Sequence, residues 1–205
     1  MFVGRGALTL QGQMAAAAII EEAWVAEADE SALVRHLTSG DPAALEALVA
    51  LYRARVTRLA HRLLGWGGDP EDVVQEVFLT ALRKANGFRG RSSLWTWLAT
   101  ITVNRCRRQL RRQALWRRFV FARSREEPAV AADRSVLQDE TNRRVREAVA
   151  ALPARDREVI VLYYLEECPA AEIGELLGLT PNAVQVRLHR ARGRLSSALA
   201  EFMEK

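Results

Sequence analysis

The sequence predicts an all-α protein, two small helical domains joined by a flexible linker, on three observations. Apolar residues recur at helical spacing wherever a stripe is long enough to judge, and no strand-like alternation persists. Helix starts carry a capping residue followed by proline at Asp41-Pro42, Asp69-Pro70 and Thr180-Pro181. After Gln113 the patterning weakens through a basic-aromatic stretch and then EEPAVAAD, the signature of an interdomain linker. The chain therefore divides into a leader over 1–30 to which no role is assigned, a first domain over 31–113, a linker over 114–136 and a second domain over 137–205.

In the first domain, Leu33, Val34 and Leu37 mark a short helix ended by Gly40. Asp41-Pro42 starts a long one, whose stripe of Leu45, Leu48, Val49, Tyr52, Val56, Leu59 and Leu63 keeps helical period and reads as core. After the Gly65-Trp66-Gly67-Gly68 loop, Val73, Val74, Val77, Phe78, Ala81 and Leu82 point inward on the next helix, while Glu71, Asp72, Gln75 and Glu76 point outward near its start. That acidic patch is either a solvated helix start, suited to the positive end of the macrodipole, or a docking surface for a basic partner. A metal nuclease would need a further acid or histidine from the following helix, and none is there.

Asn86 to Ser93 is a glycine-punctuated loop with Arg89 and Arg91 as its only charges, and Ser92 or Ser93 caps a helix from Leu94. The inward stripe of that helix begins as Leu94, Trp97, Leu98 and Ile101 and continues as Arg105, Arg108 and Arg112. A helix cannot bury the second half as it buries the first, so the far end projects toward something negatively charged. From Val77 to Arg125 there is no Asp or Glu at all. Phe88, Trp95 and Trp97 are interleaved with this charge, the combination that holds single-stranded nucleic acid by backbone contacts and base stacking. Trp97 lies on the core stripe; Trp95, off it, is the candidate for a base contact.

In the second domain a helical pattern runs from Val136 to Leu152, breaks at Pro153 and resumes with Arg155, Asp156 and Arg157 ahead of apolar Val159 to Leu165. A helix-turn-helix follows. Ile173, Leu176 and Leu177 form one stripe, Gly178 suits a left-handed helix end, and Thr180-Pro181 starts the second helix. On that helix Val184, Leu188, Ala191 and Leu195 share one side, and Asn182, Gln185, Val186, His189 and Arg190 the other. Gln, Asn and Arg hydrogen-bond base edges in a major groove, and a small apolar side chain meets a thymine methyl. A plain hairpin with a solvated polar face is the competing reading. Arg187, Arg190, Arg192 and Arg194 crowd this helix without a carboxylate among them, which favours DNA.

Composition narrows the classes further. The 205 residues are 49% hydrophobic, enough for a core, and carry a net charge of +5. Cys106 and Cys168 are isolated and lack nearby histidines, so no disulfide framework, metal site or cofactor is expected. His36, His61 and His189 are widely spaced and no phosphate-cradling glycine loop occurs, so no catalytic centre or small-molecule substrate is expected either. The run Met14 to Ile20 is too short to span a bilayer and leads into Glu21 and Glu22 rather than a cleavage signal, giving the expectation of a cytoplasmic protein without membrane insertion.

With both halves in view, the chain resembles the extracytoplasmic-function (ECF) sigma factors of bacterial RNA polymerase. DPEDVVQEVFLTALRKANGFRGRSSLWTWLATITVNRCRRQLRR is similar to the family's region 2, and LPARDREVIVLYYLEECPAAEIGELLGLTPNAVQVRLHRARGRL to its region 4. The resemblance implies that Asp72, Gln75 and Glu76 dock on the polymerase's largest subunit. It implies that Phe88, Arg89, Arg91 and Ser92 form a loop holding a base flipped from the minus-ten element, and that Trp95, Asn104, Arg105 and Arg108 trap the melted strand. Asn182, Gln185, Val186, Arg187, His189, Arg190 and Arg192 would read the minus-thirty-five element as duplex. Implied partners are core RNA polymerase through its beta-prime and beta subunits, promoter DNA and an anti-sigma protein. Gly174 stands where the family usually has alanine, and Cys168-Pro169-Ala170-Ala171 replaces a more polar approach to the first helix of the motif. The rival function is a dimeric helix-turn-helix regulator binding paired half-sites, which leaves the acid-free stretch without a role.

Overall fold

The computed structural model describes residues 30–66, 69–90, 92–121 and 140–203, and among them there are helices and turns but no strand. Arg91, most of the leader and most of the linker lie outside the described residues. The first half holds α1 (Glu30–Thr38), α2 (Pro42–Leu64), α3 (Glu71–Lys84) and α4 (Leu94–Phe121). The second holds α5 (Glu140–Ala151), α6 (Ala154–Ile160), α7 (Ala170–Leu177) and α8 (Pro181–Met203).

Local chemistry sets the helix ends. Asp41 accepts the Ala43 amide at 3.0 Å ahead of α2, and Asp69 accepts that of Glu71 at 2.9 Å ahead of α3. Of the two candidate caps for α4 it is Ser93 that serves, its hydroxyl accepting the Thr96 amide at 3.1 Å, while Glu30 reaches across to accept the Leu94 amide at 2.9 Å. Past Ile160, α6 loosens into a π-helical turn over Val161–Leu165, closed by the Glu166 amide on the Val161 carbonyl at 3.1 Å.

Helix α4 continues to Phe121, beyond the point where the apolar pattern fades at Gln113. Ala114 to Phe121 contains neither Gly nor Pro, so nothing in the backbone interrupts the ladder; Leu115 and Trp116 are 55% and 69% exposed. The sequence-derived linker thus begins inside a helix.

The two halves do not stand apart. One contiguous core runs from Leu33 to Ala191, with α2 packed against α6 and its π turn and α4 packed against α7. Polar contacts line this seam. Arg62 donates to the Leu165 carbonyl and to Glu166, both at 2.9 Å, and Arg157 donates to the Leu63 carbonyl at 3.0 Å. Arg107 grips Glu158 through both carboxylate oxygens at 2.7 Å each, and Thr96 donates to Glu172 at 2.6 Å.

Candidate nucleic-acid interface

The second helix of the helix-turn-helix presents the face that periodicity assigns to it. Val184, Leu188 and Ala191 are fully buried, while Asn182, Gln185, Val186, His189 and Arg190 are exposed, Val186 by 58%. The corner ahead of it is tight. Gly178 takes φ +68°, and the Leu179 amide returns to the Gly174 carbonyl at 2.7 Å. A Cβ on Gly174 would lie 2.7 Å from the Leu179 carbonyl oxygen, so this chain's glycine at an alanine position goes with a turn drawn close over the first helix. Thr180 caps α8 through the Ala183 amide at 3.2 Å.

Three arginines of α8 have partners from elsewhere in the fold. Asp156, at the start of α6, accepts Arg190 at 2.8 Å and also pairs with Arg194. Arg192 donates to the Tyr164 hydroxyl at 2.7 Å and lies over the Tyr163 and Tyr164 rings. The stretch from Arg187 to Arg194 is acid-free in sequence and not in space. Arg187 is half-buried on its flank.

In the first half, Asp72, Gln75 and Glu76 are exposed along one face of α3. Glu76 accepts Arg105 of α4 at 3.0 Å, so a proposed polymerase contact touches a proposed DNA contact, and the same guanidinium donates to Thr80 at 2.6 Å. Asn104 and Arg108 are exposed, as are Arg111 and Arg112 one turn on. This ridge is the projecting basic end that the sequence demands. Arg89 is exposed and Ser92 half-buried, while Phe88 leans on Trp97 with ring centroids 5.1 Å apart.

The tryptophans exchange places relative to the sequence reading. Trp95, expected off the core stripe, is 7% exposed; Tyr52 stacks on it, Arg55 covers its ring at 3.8 Å from the centroid, and its indole N–H has no hydrogen-bond partner. Trp97, expected in the core, is only partly buried. The reason is geometric: Tyr52 and Arg55 of α2 reach over α4 to close on Trp95, which a single apolar stripe does not foresee. A base would reach Trp95 only after Arg55 moves.

Sequence reasoning also missed Asp156, Glu158 and Glu166, whose side chains are 1%, 6% and 5% exposed. A signal existed for the first two. Three consecutive charged residues, Asp156, Arg157 and Glu158, sweep about 200° of a helix, and apolar Val159 and Ile160 fall between them around it, so they cannot all face solvent. All three are buried here. Trp66, Val149, Ile160, Tyr164 and Leu165, with Arg62, Asn142 and Arg146 at its polar edge, line an open cleft of about 490 Å³ whose wall has no carboxylate or histidine among the described residues.

A bundle with a basic ridge joined to a helix-turn-helix with a base-reading face defines a two-part DNA-binding transcription factor. The comparisons make this specific. The sigma-70 region 2 family model matches residues 48–115, and the sigma-70 region 4 model matches 142–195. The ECF RNA polymerase sigma-E factor of Haemophilus influenzae is 30% identical, over 85% of this chain and 97% of its own. The solved structure of CnrH in complex with the cytosolic domain of CnrY is 29% identical with a TM-score of 0.58, over 82% of this chain and 96% of its own. That of RpoE with the anti-sigma factor NepR from Bartonella quintana, at 24% identity, shares the fold with a TM-score of 0.62, over 76% of this chain and 96% of its own. The chain belongs to the ECF sigma factors. A dimeric regulator is not favoured, because the match spans both halves and not the helix-turn-helix alone.

Proposed function

We propose that this chain is a noncatalytic specificity subunit that carries core RNA polymerase to particular promoters and opens them there. The observation that carries the reading is the presence in one chain of two unlike basic surfaces: a recognition helix with an exposed base-reading face, and a ridge of exposed arginines and Asn104 on α4. The first fits paired DNA in a major groove, the second an opened strand. In this reading Asn182, Gln185, Val186, Arg187, His189, Arg190 and Arg192 face the minus-thirty-five element. Phe88, Arg89, Arg91, Ser92, Trp95, Asn104, Arg105 and Arg108 serve the minus-ten strand. Asp72, Gln75 and Glu76 dock on the polymerase.

Melting is then driven by binding: bases unstacked at a cost of a few kcal/mol are recovered as stacking and hydrogen bonds on the protein. The polymerase supplies the chemistry. No helix among the described residues is long and apolar enough to cross a membrane; in this reading the chain works in the cytoplasm, beside the polymerase it binds. RpoE of Bartonella quintana was solved with an anti-sigma factor, and by analogy an anti-sigma protein would silence this chain. The test is transcription in vitro with core polymerase on a genomic promoter library. Initiation from a discrete set of promoters is expected; none from any template, with the polymerase active under another sigma factor, overturns the proposal.

A further inference from the structure

Asp156 belongs to no DNA-facing surface, yet it holds two arginines of the recognition helix. Its side chain is 1% exposed, and those of Arg190 and Arg194 are 53% and 47% exposed. One carboxylate oxygen takes Arg190 at 2.8 Å and the other takes Arg194, which lies one turn further along α8. A carboxylate this deep needs its countercharges in place, so neither arginine is released without leaving a buried charge short of a partner. The guanidinium is a rigid planar fork with five donors, and anchoring one terminal nitrogen narrows the orientations open to the others.

That restraint has a consequence at the DNA. A mobile arginine meets a phosphate oxygen from many directions but a guanine edge, with its two acceptors, from very few. We propose that Asp156 is a positioning residue for promoter selectivity: it buttresses the Arg190 guanidinium toward base edges and holds Arg194 back from indiscriminate phosphate contact. The proposal rests on the reading of α8 as the duplex-reading helix.

The experiment uses holoenzyme assembled from the full chain and core polymerase, selecting from a duplex library randomised over one helical turn upstream of a fixed pre-melted segment. Asp156→Asn keeps the shape and one acceptor but removes the charge. Its selectivity, the affinity for the best wild-type duplex over a scrambled one, is expected to fall about tenfold, the discrimination of one well-aligned arginine. The loss falls at the position that Arg190→Ala also relaxes. Binding to scrambled duplex is expected to steepen its log–log salt slope by about 1 to 2, as up to two arginines turn to phosphate.

An unchanged base profile and salt slope in D156N overturns the inference and leaves the sigma-factor reading standing. Relaxation spread evenly over all positions, with a lowered melting temperature, also overturns it, because that is what a mere tie between α6 and α8 would produce. A wild-type holoenzyme that enriches no sequence overturns both readings. Should D156N fail to assemble, Arg190→Lys carries the test: it keeps the charge and loses the fork, so the same position is expected to lose its preference, and an unchanged profile refutes the inference.

Discussion

The Arg107–Glu158 pair is one of several bonds across the seam between the halves, and its two ends should respond unequally to mutation. Glu158 is 6% exposed and has both oxygens on Arg107, whereas Arg107 is 28% exposed. The bond to Glu158 holds the Arg107 guanidinium above its ordinary range against the opposing effect of burial. Arg107→Ala strands a buried carboxylate, a loss of about 3 kcal/mol, the low end for a buried pair because one partner is partly wet. Glu158→Gln strands only an arginine that water already reaches, and about 1 kcal/mol is expected. The loss in R107A is capped, since separation of the halves lets Glu158 hydrate. Urea denaturation gives the free energies and small-angle scattering the radius of gyration. The expected order is R107A worse than E158Q, with Arg107→Met/Glu158→Gln within about 1 kcal/mol of the parent. R107A indistinguishable from the parent in both stability and radius refutes the assignment of this pair as a stabilising bond across the seam.

Three further outcomes are expected. Gly174→Ala gains about 1 kcal/mol of helix propensity but drives a methyl to 2.7 Å from the Leu179 carbonyl oxygen, and the opposing strain of about 1–3 kcal/mol makes it net destabilising in thermal melts. Burial pushes the thiols of Cys106 and Cys168 from the ordinary 9.0 up to about 12 and about 11, so folded protein keeps protons that the unfolded chain releases. Stability is untouched below pH about 9, falls as pH rises through that value toward the folded ones, and alkylation of either thiol near neutrality is limited by unfolding; rapid native labelling refutes this. Arg190→Ala should relax preference at one upstream base pair by about 1–3 kcal/mol, and Arg108→Ala should instead weaken open complexes and lower their salt slope by about 1; equal effects on duplex and melted templates contradict the division of labour.

Most of the helices and both candidate surfaces were legible in the sequence because they rest on local rules. Caps at Asp41, Asp69 and Thr180, the glycine corner at Gly178 and the stripe Val184, Leu188 and Ala191 depend on neighbours within a turn. What periodicity could not give is what depends on a second element arriving. Trp95 is buried because Tyr52 and Arg55 of α2 lie against its ring, and Asp156 meets Arg190 only once α6 and α8 have packed. The far end of α4 escapes the sequence pattern for a related reason: apolar pattern reports packing, and a helix that continues past exposed Leu115 and Trp116 leaves no such trace.

Several basic residues of the candidate surfaces, or beside them, are held by the chain's own acids, and burial ranks which will yield to DNA. Glu76 is 53% exposed, so its pair with Arg105 is worth about 1 kcal/mol or less, and a phosphate displaces it at little cost because the carboxylate simply hydrates. Glu158 and Asp156 cannot hydrate in place. A phosphate competing for Arg107 must also open the seam between the halves, and one competing for Arg190 must leave a buried charge behind or share the guanidinium. The basic chemistry is alike at all three, yet the first behaves as an exchangeable contact, the second as part of the fold, and the third as a restrained reader. Exposure of the partner acid, more than exposure of the arginine, therefore sets the role of each guanidinium.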